Sequence, residues 1–313
     1  MSPETPARIG PYAVVSRLGK SESAPVYKVT DSGGRTLAVK LYPGGESEDL
    51  RGYRRAALER AASLRHPAIV AYKGSGEHEG RVFAVMELDP GTTLRAALQS
   101  RSLPLHRTLR IMRQIAGGLD YLHRQGMVHG CLNPSRVLVP AAGDNAKIME
   151  PAMCPETRRG ATAATATMQV ASSSRYLAPE VLRAGAAADP RADIYSLGVL
   201  LYEALTGRVP ESRFKLPSQE SDTAPPALDE VILRCLRQEP AARYRTAAEV
   251  VAAIDRVLET VPGGFAHQLE DLTSTARGIL GGGAGARRGW GWLLAALIAL
   301  IAVAAALLLL ARR

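Results

Sequence analysis

Cysteine is scarce in this sequence, which has only Cys131, Cys154 and Cys235 among its 313 residues. Their wide spacing excludes the disulfide framework of a small secreted domain. No group of histidines and cysteines has the spacing of a zinc site. The sequence therefore predicts a protein of a reducing compartment, stabilised by an apolar core.

Aromatic residues are also few, at 5% of the chain, although the formal net charge is +9. A nucleic-acid-binding surface concentrates basic residues and interleaves them with aromatic ones. Here the arginines are dispersed among acidic residues, so the sequence predicts no nucleic-acid partner.

The N-terminal residues MSPETPARIG lack the apolar region of a secretory signal, whereas the C-terminus holds 21 consecutive uncharged residues, 291–311. A helix of that length spans about 31 Å, close to the hydrocarbon thickness of a bilayer. Trp290 and Trp292 stand at one edge, as interfacial anchors do. A buried core helix is the alternative, but the run is apolar on every side. We therefore predict a transmembrane helix over 290–311.

This anchor predicts a single-pass protein of the plasma or inner membrane, with its soluble part in the cytoplasm. The Gly-rich residues 261–289 are typical of a juxtamembrane linker. A basic domain on such a linker is attracted to an anionic lipid surface, which is the first predicted partner.

The order of periodic segments predicts the fold class. Alternating strand patterns fill residues 12–40, helical spacing appears over 47–65, a strand follows at 81–88, and helical patterns dominate from Leu94. This order predicts an α+β protein of two lobes. Its predicted parts are a lead-in (1–11), an N-lobe (12–86), a hinge (87–93) and a C-lobe (94–260).

Seven segments occur in a fixed order: LAVK ending at Lys40, LRHPAIV (64–70), VMELDPGTTL (85–94), YLHRQGMVHGCLNPSRVLV (121–139), YLAPE (176–180), DIYSLGVLLYEALTG (193–207) and EPAARY (239–244). Together they resemble the eukaryotic-type (Hanks-type) Ser/Thr protein kinases from about Tyr12 to Leu258. The resemblance implies a small β-rich lobe with one helix and a larger helical lobe.

The resemblance also implies a nucleotide site in which Lys40 holds the α- and β-phosphates of ATP. The glycine-rich loop is degenerate, since only its first glycine remains and Pro25 removes a backbone N–H. The positions expected around adenine are retained, and whether ATP binds is left open. They are Gly19, Val26, Ala38, Met86, Glu87, Leu88 and Leu138.

The usual partner of the lysine is a helix glutamate, and its position falls on Ala57. Glu59 is two residues further on, about 200° around the helix. We expect Glu59 to face away from Lys40 unless the helix is shifted in register.

Three positions of the catalytic loop depart from the family pattern. Cys131 replaces the aspartate base, Asn133 the lysine, and Arg136 the metal-binding asparagine. A thiol does not orient a hydroxyl as a carboxylate does, and a lost base costs about 10²- to 10⁴-fold in rate. We interpret Cys131 as a small buried filler.

The magnesium motif is altered too, because Glu150-Pro151-Ala152 stands where the family has Asp-Phe-Gly. Glutamate is an oxygen ligand but one methylene longer, which argues against ordinary Mg²⁺ binding. Alanine in place of glycine predicts a fixed segment rather than a switch.

Architectural positions of the family are intact. The resemblance implies a buried ion pair between Glu180 and Arg243, and an Asp193 that accepts hydrogen bonds from the catalytic loop. The activation segment offers hydroxyls that could accept phosphate from another kinase, or it is a plain loop. These are Thr162, Thr165, Thr167 and Ser172 to Ser174.

Two functions fit these residues. The first is a membrane-anchored pseudokinase that regulates or scaffolds a protein partner, either another kinase or its substrate. The second is an active Ser/Thr kinase with atypical metal use, in which Glu150 holds one metal and Arg136 replaces the second.

Overall fold

The computed structural model describes residues 5–20, 24–100, 103–140, 145–153, 174–183, 189–211, 213–221 and 224–261. The chain divides into two compact units, 1–257 and 258–313. The predicted membrane helix and all but the first residue of the predicted linker lie outside the described residues. No helix within the described ranges is both long and apolar enough to cross a membrane.

The N-lobe is built on one antiparallel sheet with the strand order β1-β2-β3-β4-β6-β5. One face carries an apolar cluster that includes Val29, Val39, Leu41 and Phe83. The strands are β1 (Arg8–Ile9), β2 (Tyr12–Lys20), β3 (Pro25–Thr30), β4 (Thr36–Leu41), β5 (Tyr72–His78) and β6 (Arg81–Glu87).

Helix α1 (Glu48–Ser63) packs against β5 and β6. Ser47 caps its first turn by accepting a hydrogen bond from the Leu50 N–H, as serine does at helix starts. The helix ends before Pro67, which disfavours helical geometry in the preceding residue. The helix predicted over 47–65 is confirmed.

The C-lobe is mainly helical and contains a second, three-stranded sheet in the order β7-β8-β9. Helix α5 (Pro190–Thr206) lies at its centre, buried along most of its length and in contact with α3 (Leu105–Arg124) and α7 (Ala227–Cys235). The described helices are α2 (Leu94–Gln99), α3 (Leu105–Arg124), α4 (Pro179–Leu182), α5 (Pro190–Thr206), α6 (Pro217–Glu220), α7 (Ala227–Cys235) and α8 (Ala247–Leu258). The short strands are β7 (Thr92–Thr93), β8 (Val137–Val139) and β9 (Lys147–Ile148). The predicted two-lobed α+β fold is confirmed.

Two adjacent glycines of α3 differ in how closely they are packed. A Cβ on Gly118 would lie 2.9 Å from Ile148 Cδ1 and 3.1 Å from the Ala68 carbonyl oxygen, whereas a Cβ on Gly117 would meet nothing within 4 Å. The Ile148 N–H also donates to that Ala68 carbonyl, at 2.9 Å. Gly118 therefore allows α3 to approach the strand that leads to Glu150.

We expect Gly118→Ala to lower the free energy of unfolding by about 1–3 kcal/mol, because the backbone around Ala68 must move. Gly117→Ala is the matched control. It should raise stability by roughly 0.5–1 kcal/mol, since alanine is the better helix former. Urea unfolding followed by circular dichroism measures both. Equal effects of the two substitutions would contradict the proposed contact.

Candidate functional site

The sheet register of the N-lobe brings together several residues of the predicted nucleotide site, or slot. Gly19 pairs with Val26, and Val26 pairs with Lys40 on the next strand. Ala38 pairs with Met86, and both side chains are buried. The remaining positions lie at the end of β6, directly after it, and on β8 of the other lobe: Glu87, Leu88 and Leu138.

Lys40 is buried and pairs with Glu150. Its Nζ lies 2.5 Å from Glu150 Oε1, while Arg136 Nε lies 3.2 Å from Glu150 Oε2. One carboxylate thus bridges two cations, with a different oxygen facing each. On α1, Ala57 is buried and Glu59 is exposed, so the prediction that Glu59 faces away from Lys40 is confirmed.

Three tyrosine hydroxyls hold the segment that carries Glu150. Tyr72 accepts the Glu150 backbone N–H at 2.8 Å, and the Tyr42 hydroxyl donates to Glu150 Oε1 at 3.1 Å. Tyr53, on α1, donates to the Ala152 carbonyl at 2.8 Å. Tyr53 lies one helical turn before Ala57, the position of the family's helix glutamate, so a hydroxyl links α1 to the Glu150 segment.

The backbone of this segment is in an uncommon conformation. Glu150 has φ of 58° and Ala152 has φ of 56°, in the left-handed region. That region costs a non-glycine residue about 1–2 kcal/mol, so surrounding contacts must maintain it. The tyrosine hydroxyls supply such contacts, which is consistent with the predicted fixed segment.

The electrostatics of the cluster favour an ionised Glu150. Burial alone would raise the pKa of its carboxyl, but the charges of Lys40 and Arg136 outweigh burial and lower the pKa to about 2. Burial also raises the pKa of Tyr42 and of Tyr72, with the Glu150 charge acting in the same direction. The two phenols therefore stay protonated beside the carboxylate.

The catalytic loop is held by a buried carboxylate. Asp193 accepts the backbone N–H groups of His129 and Gly130, each at 2.8 Å, and its Oδ2 lies 2.8 Å from His123 Nε2. His129 Nε2 lies 2.9 Å from the Met149 carbonyl oxygen. The expected role of Asp193 is confirmed.

The altered loop residues make structural contacts. Cys131 is 3% exposed, and its sulfur contacts the Arg136 guanidinium. Asn133 accepts the Ser135 N–H at 2.9 Å and donates to the Cys131 carbonyl at 3.3 Å, so its amide shapes the turn over Pro134–Arg136. The thiol packs in an apolar cluster of Leu177, Ala178, Val181 and Ala192.

These residues do not fit Mg²⁺. The ion prefers octahedral oxygen ligands at about 2.0–2.1 Å. Glu150 is 5% exposed and directs its two oxygens at Lys40 and Arg136, and Arg136 is itself a cation. Across the part of the chain that the structure describes, no three His, Cys, Asp or Glu residues group as metal ligands.

The large lobe contains the expected ion pair. Arg243 Nη1 and Nη2 donate to Glu180 Oε1 and Oε2 at 2.6 and 2.8 Å. The same guanidinium donates to the carbonyls of Arg191, Arg237 and Gln238. All five of its N–H groups are therefore used, and the prediction is confirmed.

Comparisons with known proteins agree with this fold. Residues 12–259 match the protein kinase domain family. A probable serine/threonine-protein kinase of Streptomyces coelicolor is 33% identical over 83% of this chain and 42% of its own length. Serine/threonine-protein kinase PknL of Mycobacterium tuberculosis is 32% identical over 79% of this chain and 66% of its own length.

A solved structure is similar as well. The crystal structure of the M. tuberculosis PknI kinase domain has a TM-score of 0.66 and 26% identity, over 80% of this chain and 97% of that chain. The chain belongs to the protein kinase family, and within it to the Hanks-type Ser/Thr branch. It spans about 42–66% of the length of the curated relatives named above.

Sequence reasoning missed the tyrosines. Tyr42 and Tyr72 carry no motif, although Tyr53 stands on the same helix face as Ala57 and could have been found from that spacing. The activation-segment hydroxyls expected to accept phosphate lie outside the described residues, except Ser174, which starts a short helical turn.

Proposed function

We propose that this protein is a regulatory pseudokinase, a Ser/Thr-kinase fold that binds protein partners without transferring phosphate. The observation that carries the proposal is the bridging carboxylate of Glu150, paired at 2.5 Å with Lys40 and at 3.2 Å with Arg136. The side chains at the positions that hold metal and phosphate in the family are here paired with one another.

The absence of a base at the catalytic loop supports the same conclusion. Cys131 stands where the family has aspartate, and it is buried among apolar side chains. A thiol in that position does not orient a substrate hydroxyl as the family's carboxylate does. The nearby Asn133 amide is occupied with the backbone of its own turn.

The adenine end of the slot supports a retained nucleotide-base site. Ala38 and Met86 are paired across neighbouring strands, as a flat apolar plate requires. We propose that this end accepts a purine, while the phosphate end lacks the means to transfer. Protein partners then bind the surface of the folded kinase-like domain, and their binding needs no reaction at the slot.

We also propose the membrane anchor and the domain limits. The uncharged run 291–311 supports a C-terminal transmembrane helix, 261–289 a linker, and 12–260 the kinase-like domain. The net positive charge supports contact with an anionic lipid surface, with the kinase-like domain in the cytoplasm. The protein partners are then other membrane-proximal proteins, such as a kinase or its substrate.

A phosphoryl-transfer assay tests the central proposal. We expect the full chain, with ATP and either Mg²⁺ or Mn²⁺, to phosphorylate itself and a generic protein substrate no faster than its Lys40→Met variant. The missing base alone costs about 10²- to 10⁴-fold in rate. The ion pairs of Glu150 with Lys40 and Arg136 lower the rate further. Incorporated radiolabelled phosphate is the readout.

An active Hanks-type kinase assayed in parallel sets the positive signal. Turnover by this chain that disappears in Lys40→Met would establish the alternative function, an active Ser/Thr kinase with atypical metal use.

A further inference from the structure

We propose that Glu150 is an internal anion that occupies the phosphate end of the slot, and that it competes with polyphosphate ligands for Lys40 and Arg136. This inference rests on the proposed function, because it explains how the site is filled without a metal-bound nucleotide. The ligand class is a linear polyphosphate, either inorganic or carried by a nucleoside.

The geometry is that of an anion site with an anion already present. Lys40 and Arg136 converge on one carboxylate from the two lobes, Lys40 from β4 and Arg136 from the end of the catalytic loop. A guanidinium and an ammonium are the side chains that bind phosphate most strongly. The oxygens of Glu150 take the place that phosphate oxygens would need.

The charge of the cluster favours an anion rather than a metal. Lys40 and Arg136 carry two positive charges and Glu150 one negative charge, while neighbouring Arg54 is paired with Glu46 at 2.5 Å. Counted over Lys40, Arg136 and Glu150 alone, one net positive charge remains in a buried setting. A divalent cation is repelled there, and a metal-free polyphosphate is attracted.

The position of the internal anion is fixed by contacts outside the ion pairs. The backbone N–H of Glu150 donates to Tyr72, and its side chain accepts from Tyr42. A polyphosphate must displace the Glu150 carboxylate, although Glu150 is held through both its backbone and its side chain. Wild-type protein should consequently bind polyphosphate weakly, and the binding should improve when the carboxylate is removed.

The test is titration calorimetry of the full chain with inorganic tripolyphosphate in the presence of EDTA. We expect Glu150→Gln to bind at least about tenfold more tightly than wild type, which is the contribution of one charge-assisted hydrogen bond. Adding Arg136→Met to that variant should abolish the gain. Excess Mg²⁺ should weaken the binding, because it neutralises the ligand.

Glu203→Gln is the matched control. Glu203 is also a buried carboxylate beside an arginine, Arg95 at 3.2 Å, but it lies on α5 in the C-lobe. Its removal should leave tripolyphosphate binding as weak as in wild type. If Glu150→Gln does not fold, Glu150→Asp keeps the charge but is too short to bridge both cations, and it should show an intermediate gain.

Equal binding by wild type and both Glu150 variants would overturn the proposal. So would a gain that survives Arg136→Met or that requires Mg²⁺. The assay contains no acceptor protein, so its outcome is independent of the transfer assay: Lys40-dependent turnover would refute the pseudokinase function without changing these binding results. An ATP arm without metal reports whether the adenine end adds affinity to the same phosphate site.

Discussion

Replacement of Arg243 by methionine should lower the free energy of unfolding by about 3–5 kcal/mol, the usual cost of removing one partner of a buried ion pair. The substitution leaves Glu180 without its bidentate partner and three backbone carbonyls without a donor. Methionine keeps much of the volume, so the loss reports the polar contacts rather than a cavity. Urea unfolding followed by far-ultraviolet circular dichroism measures it.

Arg245→Met is the control for this prediction. Arg245 lies two residues further on, but its side chain is 79% exposed and its Nε lies 3.5 Å from Glu249 Oε1. An exposed pair of this kind contributes at most about 1 kcal/mol. If the two variants lost similar stability, the buried network would not be the cause.

Glu150→Gln should lower the free energy of unfolding by about 3 kcal/mol at neutral pH, where its ion pairs are fully formed. The ordinary pKa of the carboxyl is 4.5, and the charges of Lys40 and Arg136, which outweigh burial, lower the pKa to about 2 in the folded protein. Linkage converts that difference into about 3 kcal/mol of stability.

The pH dependence has a definite sign. Because the folded-state pKa is the lower one, the stabilisation is present above about pH 4.5 and is lost as the pH falls through about 2. The stability difference between wild type and Glu150→Gln should thus be constant near neutral pH and shrink below about pH 4.5. Urea titrations at a series of pH values measure it.

Glu48→Gln is the surface counterpart. Arg51 and Arg55 also lower the pKa of Glu48, but its side chain is 64% exposed, so solvent screens the interaction. We expect little stability change from that substitution at any pH. A Glu150→Gln variant as stable as wild type would contradict the ion-pair cluster.

Much of the fold could be predicted because kinase motifs and hydrophobic periods are local signals. The helix around Ala57 is an example, since its rotation followed from 100° per residue and placed Glu59 outward. The loss of the base at Cys131 could also be inferred, because the spacing of the catalytic loop is preserved.

The contacts of the cluster could not be predicted, because they join residues far apart in the chain. Tyr42 is 108 residues from Glu150, and Tyr72 is 78 residues from it. No local pattern marks a tyrosine as a partner of a distant carboxylate. Arg136 and Glu150, by contrast, lie in the same lobe, directly before β8 and just after β9, and the pairing of these two strands brings them together.

The bridging carboxylate also constrains how this sequence can change. Glu150 shares its charge between Lys40 and Arg136, so substitutions at these three positions act on one network and their effects do not add. Arg136→Asn alone leaves Glu150 bound to Lys40, and Cys131→Asp alone places a second carboxylate beside an arginine already in use. Under the proposed pseudokinase function, phosphoryl transfer would therefore need coordinated replacements, and no single substitution at these positions should supply it.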